Sequence, residues 1–188
     1  MRKTKYHVKK KIMPLLLAVA MAGTATPIYV AHPAIVKAAV SNAFGTNKIS
    51  LSAGSYTVPV SLKKADNVEQ SSMAAGAVGE NATLEVAEDG TASLEVELKA
   101  LNIYGMTGAA KNLKVYQGND IKSETKDVTV EETDEAGNPT KIKFTIPESA
   151  KTTDGIYLHM TISPMGMGTD AFLKVDYASL KGNENVSG

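Results

Sequence analysis

The sequence contains no cysteine, so neither a disulfide framework nor a thiolate metal site can form. Histidine is almost as scarce, because only His159 lies beyond the first 38 residues. His159 falls on the polar phase of a predicted strand, where an ordinary exposed histidine is expected. No Gly-x-Ser-x-Gly motif accompanies it to supply the nucleophile of a Ser-His-Asp site. An enzyme is therefore the weakest functional class for this chain, and we expect none.

Long apolar runs are also missing, apart from one near the N-terminus. Six basic residues among the first 11 precede an apolar run over residues 12–22, which is the pattern of a secretory signal peptide. The run is shorter than the about 20 residues that a membrane span needs, although a permanent N-terminal anchor is the alternative. Val36-Lys37-Ala38 offers a small-residue cleavage site. We therefore expect a signal peptide over residues 1–38, export, and no membrane insertion of the mature domain.

Basic residues are scarce once this segment is removed. Residues 1–38 hold seven of the 20 basic residues and none of the 20 acidic ones, so the 150 mature residues carry a net charge of −7. Such a balance argues against binding to nucleic acid or to anionic membrane surfaces, since both require basic patches. The mature length suits one domain. An exported domain without disulfides is more usual in a Gram-positive bacterium than in a eukaryote.

Apolar and polar residues alternate along most of the chain from Tyr56 to Tyr177. A period of two is typical of strands with one wet face. The alternating segments are residues 56–62, 84–86, 94–98, 113–116, 128–130, 142–146, 156–162 and 171–177. Asp89-Gly90 predicts a hairpin between the second and third segments, because glycine adopts a positive φ at little cost. The spacing predicts an all-β fold, an antiparallel β-sandwich of about eight strands.

The segments outside the strands complete the predicted organisation. Residues 39–53 are expected to form an irregular lead-in, and residues 182–188 a polar tail. Residues 65–78 contain few large apolar residues and are expected to form a loop with a short helical turn. The remaining domain covers residues 54–181.

Five methionines lie beyond the signal segment, and two of them are difficult to assign to a core. Met160 lies within an alternating segment, and Met106 lies at the expected start of a loop. Met73 and Met165, in contrast, lie in polar loops outside any alternating run. A loop methionine usually fills a packing gap, but a neutral thioether also binds haem iron. The residues by themselves leave both interpretations open.

Four segments of the chain carry a family resemblance: Tyr56-Thr-Val-Pro-Val-Ser-Leu-Lys-Lys, Ser71-Ser72-Met73, Leu84-Glu85-Val86 with its Asp89-Gly90 hairpin, and Phe172-Leu173-Lys174-Val175-Asp176-Tyr177. Over roughly residues 54–181 they resemble the near-iron-transporter (NEAT) domain. The resemblance implies an immunoglobulin-like sandwich that holds haem between a short helical lip after the first strand and the hairpin of the last two strands. Most members bind iron through the first tyrosine of a Tyr-x-x-x-Tyr motif. The two tyrosine positions are occupied here by Met165 and Thr169.

The methionines look like those of the streptococcal surface haem-binding proteins, a divergent branch in which two methionines coordinate iron. In that branch a methionine precedes a Leu-Glu-Val strand, as Met73 does here, and a Pro-Met pair opens the final hairpin, as Pro164-Met165 does. The resemblance implies that Met73 and Met165 bind the iron of haem b (iron protoporphyrin IX) from its two faces, with Met167 as the rival of Met165. It also places Ser71 and Ser72 at the lip position that contacts a haem propionate.

The resemblance implies a secreted or cell-surface protein of a Gram-positive bacterium that takes up haem and relays it in iron acquisition. The implied partners are haem itself and haemoglobin, another haem-relay protein or a transporter. The fold class is also compatible with a non-catalytic immunoglobulin-like adhesion module that binds host protein or glycan, because sandwiches host many functions.

Overall fold

A computed structural model describes residues 42–103 and 105–182 of the chain, and this part forms 13 β-strands and three short 3-10 turns. The strands are β1 (Asn42–Phe44), β2 (Ile49–Leu51), β3 (Gly54–Lys64), β4 (Val78–Val86), β5 (Ala92–Leu98), β6 (Leu101–Ile103), β7 (Met106–Tyr116), β8 (Thr125–Asp127), β9 (Thr129–Thr133), β10 (Pro139–Thr145), β11 (Gly155–Ser163), β12 (Met167–Val175) and β13 (Lys181–Gly182). The 3-10 turns cover Ala75–Ala77, Glu148–Thr152 and Tyr177–Ser179. Within these described ranges, no helix has the length and apolarity needed to span a membrane.

Strand β3 belongs to both layers of the fold. Its residues 54–59 pair with β4, and its residues 60–64 pair with β12. The order of hydrogen-bonded strands is β6-β7-β11-β12-β3-β4-β5-β10-β9, with β8 beside β7 and β13 beside β3. Neighbouring strands along this path are antiparallel, and β1 pairs with β2 alone. The predicted all-β, immunoglobulin-like antiparallel sandwich is confirmed.

Alternation along the strands determines which side chains form the core. In β11, Ile156, Leu158, Met160 and Ile162 are all at most 5% exposed, and the residues between them are half-buried. Each strand therefore contributes one apolar face, as its period of two predicts. The assignment of Met160 to the core is confirmed, because its side chain is fully buried.

The irregular lead-in predicted for residues 39–53 is wrong for residues 42–51, which form the β1–β2 ladder. Phe44 is fully buried, and its ring lies 5.6 Å from that of Tyr177. The turn between the two strands is fixed by Asp154, whose carboxylate accepts hydrogen bonds from the backbone N–H of Thr46 at 2.8 Å and from its hydroxyl at 2.7 Å. Partners more than 100 residues away thus order a segment that has no pattern of its own.

Strand β7 begins at Met106, seven residues before the segment predicted from the alternation. Its first half contains Gly108, Ala109 and Ala110, small residues that give no clear apolar period. Asn112 then adopts a φ of +49°, and the register with β11 shifts between His159 and Thr161. The short helical turn expected within residues 65–78 is present at Ala75–Ala77. The predicted signal peptide and residues 183–188 of the predicted tail lie outside the described residues.

Candidate functional site

The β11–β12 hairpin presents two of the methionines singled out by the sequence. Ile162 and Met167 are the last paired residues of the two strands, so residues 163–166 form the turn. Gly166 closes the turn with a φ of +65°, and its N–H donates to the carbonyl of Ile162 at 2.9 Å. Met165, within the turn, is 36% exposed, and Met167, the first residue of β12, is 62% exposed.

The other three predicted site residues lie in the segment of residues 70–77, which we call the lip. Ser71 pairs with Lys63 of β3 in an antiparallel bridge, and the N–H of Ser72 donates to the carbonyl of Leu62 at 3.1 Å. The Ser72 hydroxyl then accepts a hydrogen bond from the Ala74 N–H at 3.2 Å, which turns the chain into the 3-10 turn. Met73 lies at this bend with 73% of its surface exposed.

The lip and the hairpin lie on opposite edges of β3. Lys63 pairs with Ser71 on one edge and with Phe172 of β12 on the other. Since neighbouring strands are about 4.8 Å apart, the lip and β12 are separated by roughly 10 Å at this level. Lys64, the last residue of β3, pairs with Ala171. The four residues of β12 before Ala171 therefore project past the end of β3 by roughly 13 Å, at about 3.3 Å per residue.

Strand β7 brings a fourth methionine to the same end of the sandwich. Ala109 pairs with Ser163, so the first residue of β7, Met106, lies beyond the last residue of β11. The approach is close, because a Cβ on Gly108 would lie 2.1 Å from the Ser163 carbonyl oxygen. Met106 is 44% exposed. The sequence does not predict its position in a strand, because the residues that follow it give no period of two.

These methionines dominate the exposed apolar surface of the described residues. Six large apolar side chains are exposed there, and four of them are Met73, Met106, Met165 and Met167. A thioether is neutral and needs no deprotonation before it binds iron, so this donor set fits haem. A Cβ on Gly166 would have no other atom within 4 Å, so the turn beside Met165 is open to a flat ligand. Among the described residues, no group of three or more His, Asp or Glu side chains is arranged to hold a metal ion.

The outer face of the hairpin carries a half-buried polar cluster. Asp170 accepts a hydrogen bond from the Tyr116 hydroxyl at 2.8 Å and contacts Nδ1 of His159 at 2.7 Å. Burial, together with the hydrogen bond to Asp170, raises the pKa of Tyr116 to about 12. His159 is thus half-buried and paired, and the expectation of an ordinary exposed histidine is wrong. The cross-strand register, which places His159 opposite Asp170, is the reason.

A cavity lies away from the methionines. It has a volume of about 430 Å³ and opens on the outer face of β4 and β5, between Glu80, Glu95, Glu97 and Lys99. Three carboxylates and one ammonium line it, which does not suit an apolar macrocycle. The lip and the hairpin are therefore the candidate site.

The fold and this site define an immunoglobulin-like binding module, with its candidate ligand site at one end of the sandwich. The model of the iron transport-associated (NEAT) domain family matches residues 50–178, more than half of the chain. The chain belongs to the NEAT domain family. Domains of this family bind haem in iron transport, are not known as enzymes and are typically found in extracellular or surface proteins. No curated protein matches the chain in sequence.

Proposed function

We propose that this protein is a secreted or cell-surface haem-binding protein of a Gram-positive bacterium, which takes up haem and relays it in iron acquisition. The family supports haem binding in general. The observation that carries the finer proposal is the concentration of exposed methionines at one end of the sandwich. A group of exposed apolar side chains at one place on a protein commonly marks a surface that binds a ligand or a partner.

Met73 and Met165 are the proposed iron ligands. They lie on elements that flank β3 on opposite edges, so their sulfurs can approach an iron from its two faces. Met167 is the rival of Met165, because it is only two residues away and is more exposed. Met165 is favoured because it lies within the turn, between Pro164 and Gly166, where the backbone is held at a fixed bend.

Two neutral thioethers, when haem is bound, stabilise ferrous over ferric iron and raise the reduction potential, since neither ligand donates a charge. Occupation of both faces leaves no open position for oxygen. A site of this kind suits storage or transfer of the bound group.

Ser71 and Ser72 are the proposed contacts for a propionate. Ser71 is exposed. The Ser72 oxygen already accepts a hydrogen bond from the Ala74 N–H, but its own O–H remains a donor. Two hydroxyl donors beside Met73 can therefore orient a carboxylate at the outer edge of the lip.

The experiment is a titration of the mature protein with haemin, followed by absorption spectra with and without dithionite. Methionine-to-leucine variants are compared, because leucine keeps the volume and removes the sulfur. We expect Met73→Leu and Met165→Leu to change the Soret and visible bands, and Met106→Leu, the matched exposed control, to leave them unchanged. Absence of a Soret band in the wild type would refute haem binding. Changes in Met167→Leu but not in Met165→Leu would transfer the ligand to Met167.

The relay is tested by mixing the loaded protein with apomyoglobin. We expect the wild type to transfer its haem completely. Met73→Leu and Met165→Leu should release haem faster than the wild type, because each lacks one of the two proposed iron ligands. Retention of haem by the wild type against an excess of acceptor would contradict a relay.

Export is tested separately. The intact mass of the secreted protein should be that of a chain that begins at Ala39.

A further inference from the structure

Asp170 connects three neighbouring strands on the outer face of the sheet. Its Oδ1 accepts the Tyr116 hydroxyl from β7 at 2.8 Å and lies 2.7 Å from Nδ1 of His159 on β11. Tyr116 is 7% exposed, and the His159 and Asp170 side chains are each about one third exposed. Hydrogen bonds to an ionised carboxylate in such a partly dry setting are stronger than bonds between neutral groups.

The position of Asp170 along β12 is the second observation. The pairing of β12 with β3 begins at Ala171, so Asp170, one residue earlier in the chain, belongs to the part of the hairpin that projects beyond β3. Beyond this point the pairing partner of β12 among the described strands is β11 alone. Asp170 reaches across β11 to β7 at the level where support from β3 ends. It lies three residues from Met167 and five from Met165.

We propose that Asp170, Tyr116 and His159 form a clamp that positions the methionine hairpin against β7 and so sets the rate of haem release. This inference rests on the proposed function for its second half. None of the three residues is proposed to touch haem, so they act as positioning residues. Oδ1 of Asp170 takes both hydrogen bonds, with the Nδ1 proton of His159 assigned from this contact.

The first experiment needs no haem. Backbone amide exchange over residues 163–169 is measured in the apoprotein for Asp170→Ala, Tyr116→Phe and Asp170→Asn. We expect Asp170→Ala and Tyr116→Phe to exchange about tenfold faster than the wild type, the effect of losing charge-assisted bonds. Asp170→Asn should keep part of the protection, because its amide oxygen accepts both bonds but carries no charge. Unchanged exchange in Asp170→Ala and Tyr116→Phe would overturn the clamp, whatever the protein does with haem.

The second experiment measures transfer of haem from the loaded protein to apomyoglobin. Asp170→Ala and Tyr116→Phe should release haem about tenfold faster with an unchanged Soret band, and Asp170→Asn should fall between Asp170→Ala and the wild type. Glu85→Gln is the matched control, since it weakens the 2.5 Å ion pair with Lys143 on the other layer. A shifted Soret band in Asp170→Ala, or equal acceleration in Glu85→Gln, would overturn the positioning role. Absence of haem binding in the wild type would instead refute the proposed function. If Asp170→Ala does not fold, Tyr116→Phe decides both experiments.

Discussion

The close approach between β7 and the hairpin makes Gly108→Ala the most informative substitution. A Cβ at this position would lie 2.1 Å from the carbonyl oxygen of Ser163 and 3.3 Å from its carbonyl carbon. Both atoms belong to the backbone, so a side-chain rotation cannot relieve the contact. An ordinary van der Waals contact is about 3.5 Å, and the two strands must therefore separate by roughly 1–1.5 Å.

The separation has a calculable cost. Next to Gly108, the Ser163 hydroxyl accepts from the Ala109 N–H at 3.2 Å and donates to the Ala109 carbonyl at 3.3 Å. A further 1 Å takes both contacts beyond hydrogen-bond distance. Each lost bond costs about 1 kcal/mol, and the residual overpacking about 1–3 kcal/mol. We expect Gly108→Ala to lower the free energy of unfolding by about 3–5 kcal/mol, which corresponds to about 10–15 °C in Tm for a domain of this size.

Thermal and urea unfolding followed by circular dichroism measure this effect. Gly182→Ala is the matched control, because a Cβ there has no other atom within 4 Å. We expect its Tm to stay within about 2 °C of the wild type. A Tm for Gly108→Ala that is equally close to wild type would refute the argument, since it would show that β7 and β11 do not approach as described. Gly108→Ala should also release haem faster than the wild type, because its hairpin is displaced.

Four further substitutions test polar side chains of the fold. Burial and the bond to Asp170 raise the pKa of Tyr116 to about 12, above the ordinary value of 10, so the folded state holds this proton more tightly. The stability that the Tyr116 hydroxyl contributes is therefore complete below pH 10 and lost as the pH rises through 12. Between these pH values the urea midpoint of Tyr116→Phe should fall less than that of the wild type. An equal fall in both proteins would contradict the raised pKa of Tyr116. The Tyr177 hydroxyl is buried without a hydrogen-bond partner among the described residues. Tyr177→Phe should therefore leave the free energy of unfolding unchanged or raise it by up to about 1 kcal/mol. A marked loss of stability would reveal a partner. Lys151 donates from its buried Nζ to the Gly90 carbonyl at 2.8 Å and also forms an ion pair with Glu148, whose side chain is 83% exposed. Lys151→Met should therefore cost about 1–3 kcal/mol, whereas Glu148→Gln should cost less than about 1 kcal/mol. Equal losses in the last two variants would show that the ion pair, and not the bond to Gly90, matters.

The strands with regular alternation could be predicted from the sequence, and those without it could not. β11 alternates clearly because one of its faces is buried along its length. In β12 the alternating residues that are buried are Ala171, Leu173 and Val175, in the second half of the strand. β1, β2 and β6 are three residues long, which is too short for a period to appear. The first half of β7 consists largely of small residues, which give no alternating pattern. A residue without a side chain is needed at Gly108 because the Ser163 backbone lies so close. Predicting these segments requires their tertiary partners.

The candidate site shows the same division. Met73 and Met165 can be found from the sequence because an apolar residue in a polar loop is visible there, and Met167 follows from its place two residues after Met165. All three are exposed. Their role as ligands stays a prediction. The contact of Tyr116 with Asp170 joins residues 54 positions apart, and no local pattern indicates such a pair. It follows from the register of three strands, which is a property of the folded sheet.

The sharing of one strand by the two halves of the site has a consequence for how such a module can diversify. The lip is attached to one edge of β3 and β12 to the other, both through backbone hydrogen bonds. Backbone pairing depends little on which side chains follow, so the donor on either side can be exchanged, or its loop lengthened, while the other side keeps its place. β3 thus holds the lip and the hairpin independently of each other. The residues that contact the ligand can change on either side without a change in the sandwich.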